Sequence, residues 1–125
     1  MSERRTFPSG GSYENVYGYS RAVRVGPQVH VAGTCARGDD LDGDGYVQAA
    51  AALRIIVAAL REAGASARDV VRTVAYVTDM ADADLVARAH SEVFDAVRPA
   101  ATMVAVSALL DPRMRVEIEA YAIVV

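Results

Sequence analysis

Alternation of apolar and polar residues is first clear from Tyr19 to Val25, where Tyr19, Arg21, Val23 and Val25 share one side of an extended chain. Gly26-Pro27 supplies a turn, and Gln28 to Thr34 returns as a second strand, so the two form a hairpin. The spacing then changes. From Tyr46 to Ala63, the residues Ala49, Leu53, Ile56, Leu60 and Ala63 recur every three or four positions, forming one helical stripe closed by Gly64. Ser66 to Asp69 reads as a capped turn entering a strand from Val70 to Thr78. A second helix, from Asp82 or Asp84 to Val97, buries Leu85, Val86, Ala89, Val93 and Val97, and Pro99 stops it. Strands from Thr102 to Leu109 and from Met114 to Val124 follow, separated by a turn at Asp111-Pro112. Two segments lack either period. Met1 to Asn15, with Pro8 and Gly-Gly-Ser, reads as an edge segment or loop, and the Asp- and Gly-rich Arg37 to Gly45 reads as a loop.

The order is ββαβαββ, which predicts an α+β domain over residues 1–125: one mixed sheet with two helices on one face. The other face is the informative one. In the last strand Val116, Ile118, Ala120, Ala122 and Val124 suit packing beneath helices, while Glu117, Glu119, Tyr121, Ile123 and Val125 form a mixed row. The strand at 70–78 offers Val71, Thr73, Ala75 and Val77 against Val70, Arg72, Val74, Tyr76 and Thr78. Neither row is polar enough for an ordinary wetted face, and such patches signal association. A closed ring of subunits would bury them and leave crevices suited to small ligands.

Composition narrows the partners. With 125 residues and 53% hydrophobic content there is material for one core and no second domain. A net charge of -3 and scattered arginines argue against nucleic acid. No apolar run approaches the roughly 20 residues of a membrane span, and Met-Ser-Glu-Arg-Arg-Thr lacks the apolar centre of a secretion signal. Cys35 is the single cysteine, so no internal disulfide forms and a cytoplasmic location is expected. All 13 basic residues are arginine, which removes lysine Schiff-base chemistry and lysine-held pyridoxal phosphate.

Several chemical motifs are weak. Asp40 to Gly45 copies the first half of a calcium loop, but the twelfth position is Ala51, so a solvated turn is expected. His30 and His90 lack metal-ligand spacing, His30 is free to point to either sheet face, and His90 is expected on the exposed or interface side of its helix. Cys35 reads as a small packing residue. Glu117 stands apart. A carboxylate on a strand of Val, Ile and Ala is costly unless it pairs with an arginine such as Arg72 or sits hydrated in a pocket, where it can move protons.

The chain also resembles a known family from about Tyr17 to Ala122. The stretches are Tyr-Gly-Tyr-Ser-Arg-Ala-Val-Arg-Val-Gly (17–26), Val-Ala-Gly-Thr (31–34), Gln48 opening a helix, and Glu-Ala-Gly-Ala-Ser-Ala-Arg-Asp-Val-Val-Arg-Thr (62–73). Tyr-Val-Thr-Asp (76–79), His-Ser-Glu-Val-Phe (90–94), Arg-Pro-Ala (98–100) and Val-Glu-Ile-Glu-Ala (116–120) complete them. In this order and spacing they resemble the RidA/YjgF-type reactive-intermediate deaminases. The resemblance implies a chorismate-mutase-like homotrimer with intersubunit clefts, hydrolysing imines and enamines without a cofactor. It implies Glu117 as the group that handles water or a proton, Tyr19 lining the pocket, and Gly33 and Thr34 near the ligand; in the reaction expected of this chain Tyr19 and Thr102 orient the substrate. The family's carboxylate-binding arginine does not match: Ala101 follows Pro99-Ala100. Arg88, or failing it Arg21 or Arg98, is the candidate replacement. The expected function is a divergent small-molecule hydrolase or proton-transfer enzyme acting on an imine, enamine or related carbonyl compound. The alternatives are a non-catalytic metabolite-binding or regulatory trimer, and a scaffold for another enzyme.

Overall fold

A computed structural model describes residues 3–125. Six strands form one sheet in the order β1-β2-β3-β6-β4-β5: β1 Arg4–Phe7, β2 Ala22–Val25, β3 Gln28–Thr34, β4 Val70–Val77, β5 Ala100–Ala105 and β6 Val116–Ile123. All neighbours are antiparallel except β4 and β5. Parallel strands need a crossover, and the helix α3 (Ala83–Phe94) supplies it between β4 and β5. The helix α2 (Gly45–Glu62) connects β3 to β4, leaving a slot that β6 fills from the chain end.

The stripe on α2 is the core. Leu53, Ile56 and Leu60 are fully buried, each contributing about 1.5–3 kcal/mol over an exposed position. They pack over Val29 and Val31 of β3 and over Val116, Ile118, Ala120 and Ala122 of β6, the row the alternation assigns to the helices. The Asp44 carboxylate starts α2 by accepting from the Val47 amide at 2.9 Å. Gly64 ends it in a left-handed conformation (φ 81°), with Ala65 N–H donating to Leu60 O and Gly64 N–H to Arg61 O. Gln48, fully buried, fastens the loop before the helix to the entry of β6. Its amide donates to the carbonyls of Leu41, Gly43 and Arg113, and its carbonyl accepts from the Arg115 amide.

Several expectations change. The segment read as an edge segment or loop does supply the edge strand, Arg4–Phe7 paired with β2, but Tyr13–Tyr17 forms a one-turn helix, α1. Met1 and Ser2 lie outside the described residues. A register shift between Val70 and Arg72 puts Val70 in the core and exposes Val71, reversing their alternation. α3 buries Phe94 with Val86 and Ala89, while Val97 lies past its end. On that same buried side His90 turns inward: its ring meets Phe94 at 4.7 Å and Nε2 lies 2.8 Å from Thr73 Oγ1. His90 is therefore half-buried rather than on an outer surface, and desolvation holds its pKa below the ordinary 6.5. Finally, β5 runs Ala100–Ala105 rather than Thr102–Leu109, because its partner β4 ends at Val77, whose carbonyl takes the last ladder hydrogen bond from the Val106 amide at 2.8 Å. No helix of the described residues is long and apolar enough to cross a membrane.

Candidate active site

The site begins with an irregularity in β3. Val31 pairs with Ala120 and Thr34 with Ile118, so three steps along β3 match two along β6. The extra residue is a bulge at Ala32-Gly33. Simple alternation from Val29 and Val31 would send Cys35 into the core and Thr34 outward. The bulge inverts that parity. Thr34 is fully buried, its hydroxyl donating to Ala32 O at 2.8 Å and accepting from Arg21 Nη1 at 2.7 Å. Cys35 instead lies beside Glu117, with Sγ 3.5 Å from Oε1.

Glu117 comes from the row of β6 that faces away from α2 and α3. Its carboxylate lies over Gly33 so closely that a Cβ there would stand 2.5 Å from Oε2. Gly33 has no left-handed conformation to explain it; the close approach of the carboxylate does. Among the described residues no arginine forms an ion pair with Glu117. Arg72, the partner considered from the sequence, reaches Thr102 Oγ1 at 3.4 Å. The neighbouring carboxylate has the opposite fate. Glu119 accepts from the hydroxyls of both Tyr76 and Tyr121. That hydrogen bond pushes the Tyr76 phenol up to about 12, with burial and the Glu119 charge adding to it. Of the two acids on this row, Glu119 is held by two phenols and Glu117 by the Cys35 thiol alone among the described residues.

The surroundings of the thiol favour its protonated form. Burial, then the Glu117 charge and the hydrogen bond to it, push Cys35 up to about 12, so the thiolate is scarce.

Around Glu117 lies a cavity of about 590 Å³. Ala32 and Gly33 form its floor, and the chain after β5, including Leu109 and Leu110, forms one wall. Tyr13, Tyr17 and Tyr19 form another. The one-turn helix explains the tyrosines: Tyr13 and Tyr17 are four residues apart and stack at 5.9 Å, and Tyr17 meets Tyr19 at 6.1 Å. Gly18, left-handed at φ 81°, ends α1 and turns the chain toward Tyr19.

Tyr19, Gly33 and Glu117 are thus brought together, and Thr34 is turned away by the bulge. Thr102 lies on β5, separated from β6 by β4, and Ala101 pairs there with Thr73. Arg88 stacks on Tyr46 at 3.9 Å from the ring centroid. Arg98 is held by Asp95 at 2.9 Å. Arg21 is buried, with Nη1 directed to Gly33 O at 2.9 Å and to Thr34. None of these three arginines lines the cavity of a single chain. Sequence reasoning missed Tyr13 and Tyr17. Their four-residue spacing between Ser12 and Gly18 was the available signal.

A mixed sheet with two crossover helices on one face is the chorismate-mutase-like α+β fold of YjgF proteins. The family model for Endoribonuclease L-PSP matches residues 12–124, and the chain belongs to that family, the YjgF/RidA type. It is 42% identical over 122 residues to an uncharacterized protein of Streptomyces coelicolor, covering 94% of this chain and 91% of that one. A RutC family protein of Pyrococcus abyssi is 37% identical over 109 residues, covering 83% and 84%. Among solved structures, Rv2704 from Mycobacterium tuberculosis, a member of the YjgF/YER057c/UK114 family, superposes with a TM-score of 0.92 at 48% identity, covering 98% of this chain and all of that one.

Proposed function

We propose that this chain hydrolyses an imine or enamine to a carbonyl compound and an amine, with Glu117 as the group that moves the proton. The observation that carries this reading is the Glu117 carboxylate in an apolar-walled cavity, unpaired with any described arginine and placed over Gly33. In the reaction, water adds to the carbon of a protonated C=N bond while its proton passes to the carboxylate. Glu117 returns that proton to nitrogen, the C–N bond breaks, and the hydroxyl proton leaves as the C=O bond forms. An enamine first takes a proton at its carbon to become the iminium. No cofactor is needed for these steps.

The assembly belongs to the same proposal. Val71, Val104 and Ile123 are about two-fifths exposed in the single chain. A homotrimer closing over this sheet face would cover such residues and wall the cavity from a second subunit. Thr102 can orient a ligand only if a neighbour brings its edge strand to the cavity.

Ammonia release from freshly generated imines tests the reading. Glu117→Gln keeps the shape and removes the base, so kcat/KM should fall by about 10²-fold or more. Unchanged turnover in that variant would remove Glu117 from the chemistry. Ligand-dependent thermal stabilisation without turnover would favour the metabolite-binding reading instead. Ala101→Arg should bring activity toward 2-imino acids, because a two-pronged arginine recovers carboxylate capture. A variant no better on 2-imino acids than the parent would show that position 101 is not what limits them.

A further inference from the structure

We infer that the cavity beside Glu117 binds organic cations: protonated amines or iminium ions carrying an apolar or aromatic body and no carboxylate. This deepens the proposed function and rests on its reading of the Glu117 cavity as the working centre.

Three observations converge on it. The first is charge. Glu117 is the carboxylate of the lining and no arginine or histidine lines the wall with it; the nearby cation, Arg21, gives its Nη1 to Gly33 O at 2.9 Å and to Thr34, so the charge an entering anion meets in the lining is that of Glu117. The second is aromatic content. Tyr13, Tyr17 and Tyr19 present adjoining rings on one wall, and ring faces attract cations through their quadrupole. Arg21 already lies 5.7 Å from the Tyr19 ring, a short demonstration of the same attraction inside the protein, so Tyr13 and Tyr17 are the rings left for a ligand. The third is what a neighbour would add. The exposed edge strand β5, Ala100–Ala105, has no charged side chain of its own, and Arg72 of the adjoining β4, which would come with it, already donates to Thr102 Oγ1 at 3.4 Å.

These features also fit the chemistry. The reactive form of an imine is its protonated, positively charged state. A carboxylate beside it raises the charged fraction and, after water has added, receives the proton. Leu109 and Leu110 give an apolar body somewhere to sit. The same cavity disfavours an α-carboxylate, which would approach Glu117 without a compensating donor.

Stable probes separate recognition from turnover. Calorimetric titration of the full chain with benzylammonium chloride, benzyl alcohol and sodium benzoate compares one body carrying positive, zero and negative charge. Benzylammonium should bind at least about tenfold more tightly than the alcohol, and benzoate more weakly than both. Glu117→Gln should bring the ammonium down to the level of the alcohol. Tyr17→Ala should weaken the ammonium and Tyr17→Phe should preserve it. Tyr17 is 74% exposed, so neither change threatens the fold. Benzoate binding as well as benzylammonium, equal binding of all three, or binding of none would overturn the inference. A cation preference without hydrolysis of any imine upholds the site and removes the hydrolase. Hydrolysis with no cation preference does the reverse.

Discussion

Replacing Gly33 by alanine isolates the contact that positions the candidate base. The new methyl carbon would meet Glu117 Oε2 at 2.5 Å and Cδ at 2.8 Å. Ordinary contact begins near 3.4 Å, so the carboxylate must retreat by roughly 1 Å. The backbone at Gly33 is not left-handed, and alanine meets no strain of its own. Because the obstruction is the far end of a flexible side chain, the steric cost stays low, and alanine lowers the entropy of the unfolded chain. Global stability should therefore change by no more than about 1 kcal/mol. Catalysis is less forgiving: a misplacement of about 1 Å can lower kcat/KM by about 10²-fold.

Two assays separate a moved carboxylate from a damaged fold. Imine hydrolysis should fall while the urea midpoint holds. Independently, Cys35 should become more reactive toward iodoacetamide, since retreat of Glu117 removes two of the influences that push the thiol up to about 12. Burial, the largest of them, remains, so the expected rise at pH 8 is modest, on the order of threefold to tenfold. Wild-type hydrolysis and wild-type alkylation in Gly33→Ala would together refute the placement of the carboxylate over Gly33. A loss of several kcal/mol would show instead that the side chain cannot yield.

Two further outcomes follow from buried polar contacts. Gln48→Ala leaves three carbonyls and the Arg115 amide without their partner, and should lower the unfolding free energy by about 2–4 kcal/mol in urea titration; a loss below about 1 kcal/mol would mean water replaces the amide. Desolvation lowers the His90 pKa, so the folded chain binds that proton less tightly than the unfolded one. The resulting stability is complete above about pH 6.5 and is lost as pH falls from there through the folded value; His90→Gln should flatten the urea midpoint between about pH 7.5 and 5, and an unchanged slope would contradict the buried neutral ring.

What could be read from the residues follows from the range of the forces involved. The helical stripe from Ala49 to Ala63 and the inward row of β6 are repeated local patterns, and burial enforces every member of them. The structure reproduces them nearly residue for residue. Breaks in period are harder. The bulges at Ala32-Gly33 and at Val70-Val71 each invert a parity, and each is set by pairing with β6, a strand remote in sequence. The first of them buries Thr34, which the family resemblance put at the ligand. The same bulge sets Cys35, read from the sequence as a small packing residue, against Glu117. α1 is too short to show a helical period at all, since Tyr13–Tyr17 spans little more than one turn.

The same reasoning separates the two glutamates of β6, which alternation alone makes equivalent. Both project from the row away from the helices. Glu119 stands between Tyr121 on its own strand and Tyr76 on β4, and two phenols satisfy it. Glu117 is directly paired with Tyr76 in register, yet its side chain leans toward β3, where the bulge supplies a glycine and a thiol. A phenol hydroxyl is a strong donor and a thiol a weak one, so the second carboxylate keeps most of its capacity to accept a proton or hold a cation. The distinction between an acid held by two phenols and one left with a single thiol is therefore made by β3, through one extra residue in its ladder. Any relative that keeps the glutamate but loses the bulge would place a β-carbon or a buried threonine where the carboxylate now lies, and should lose the site while retaining the fold.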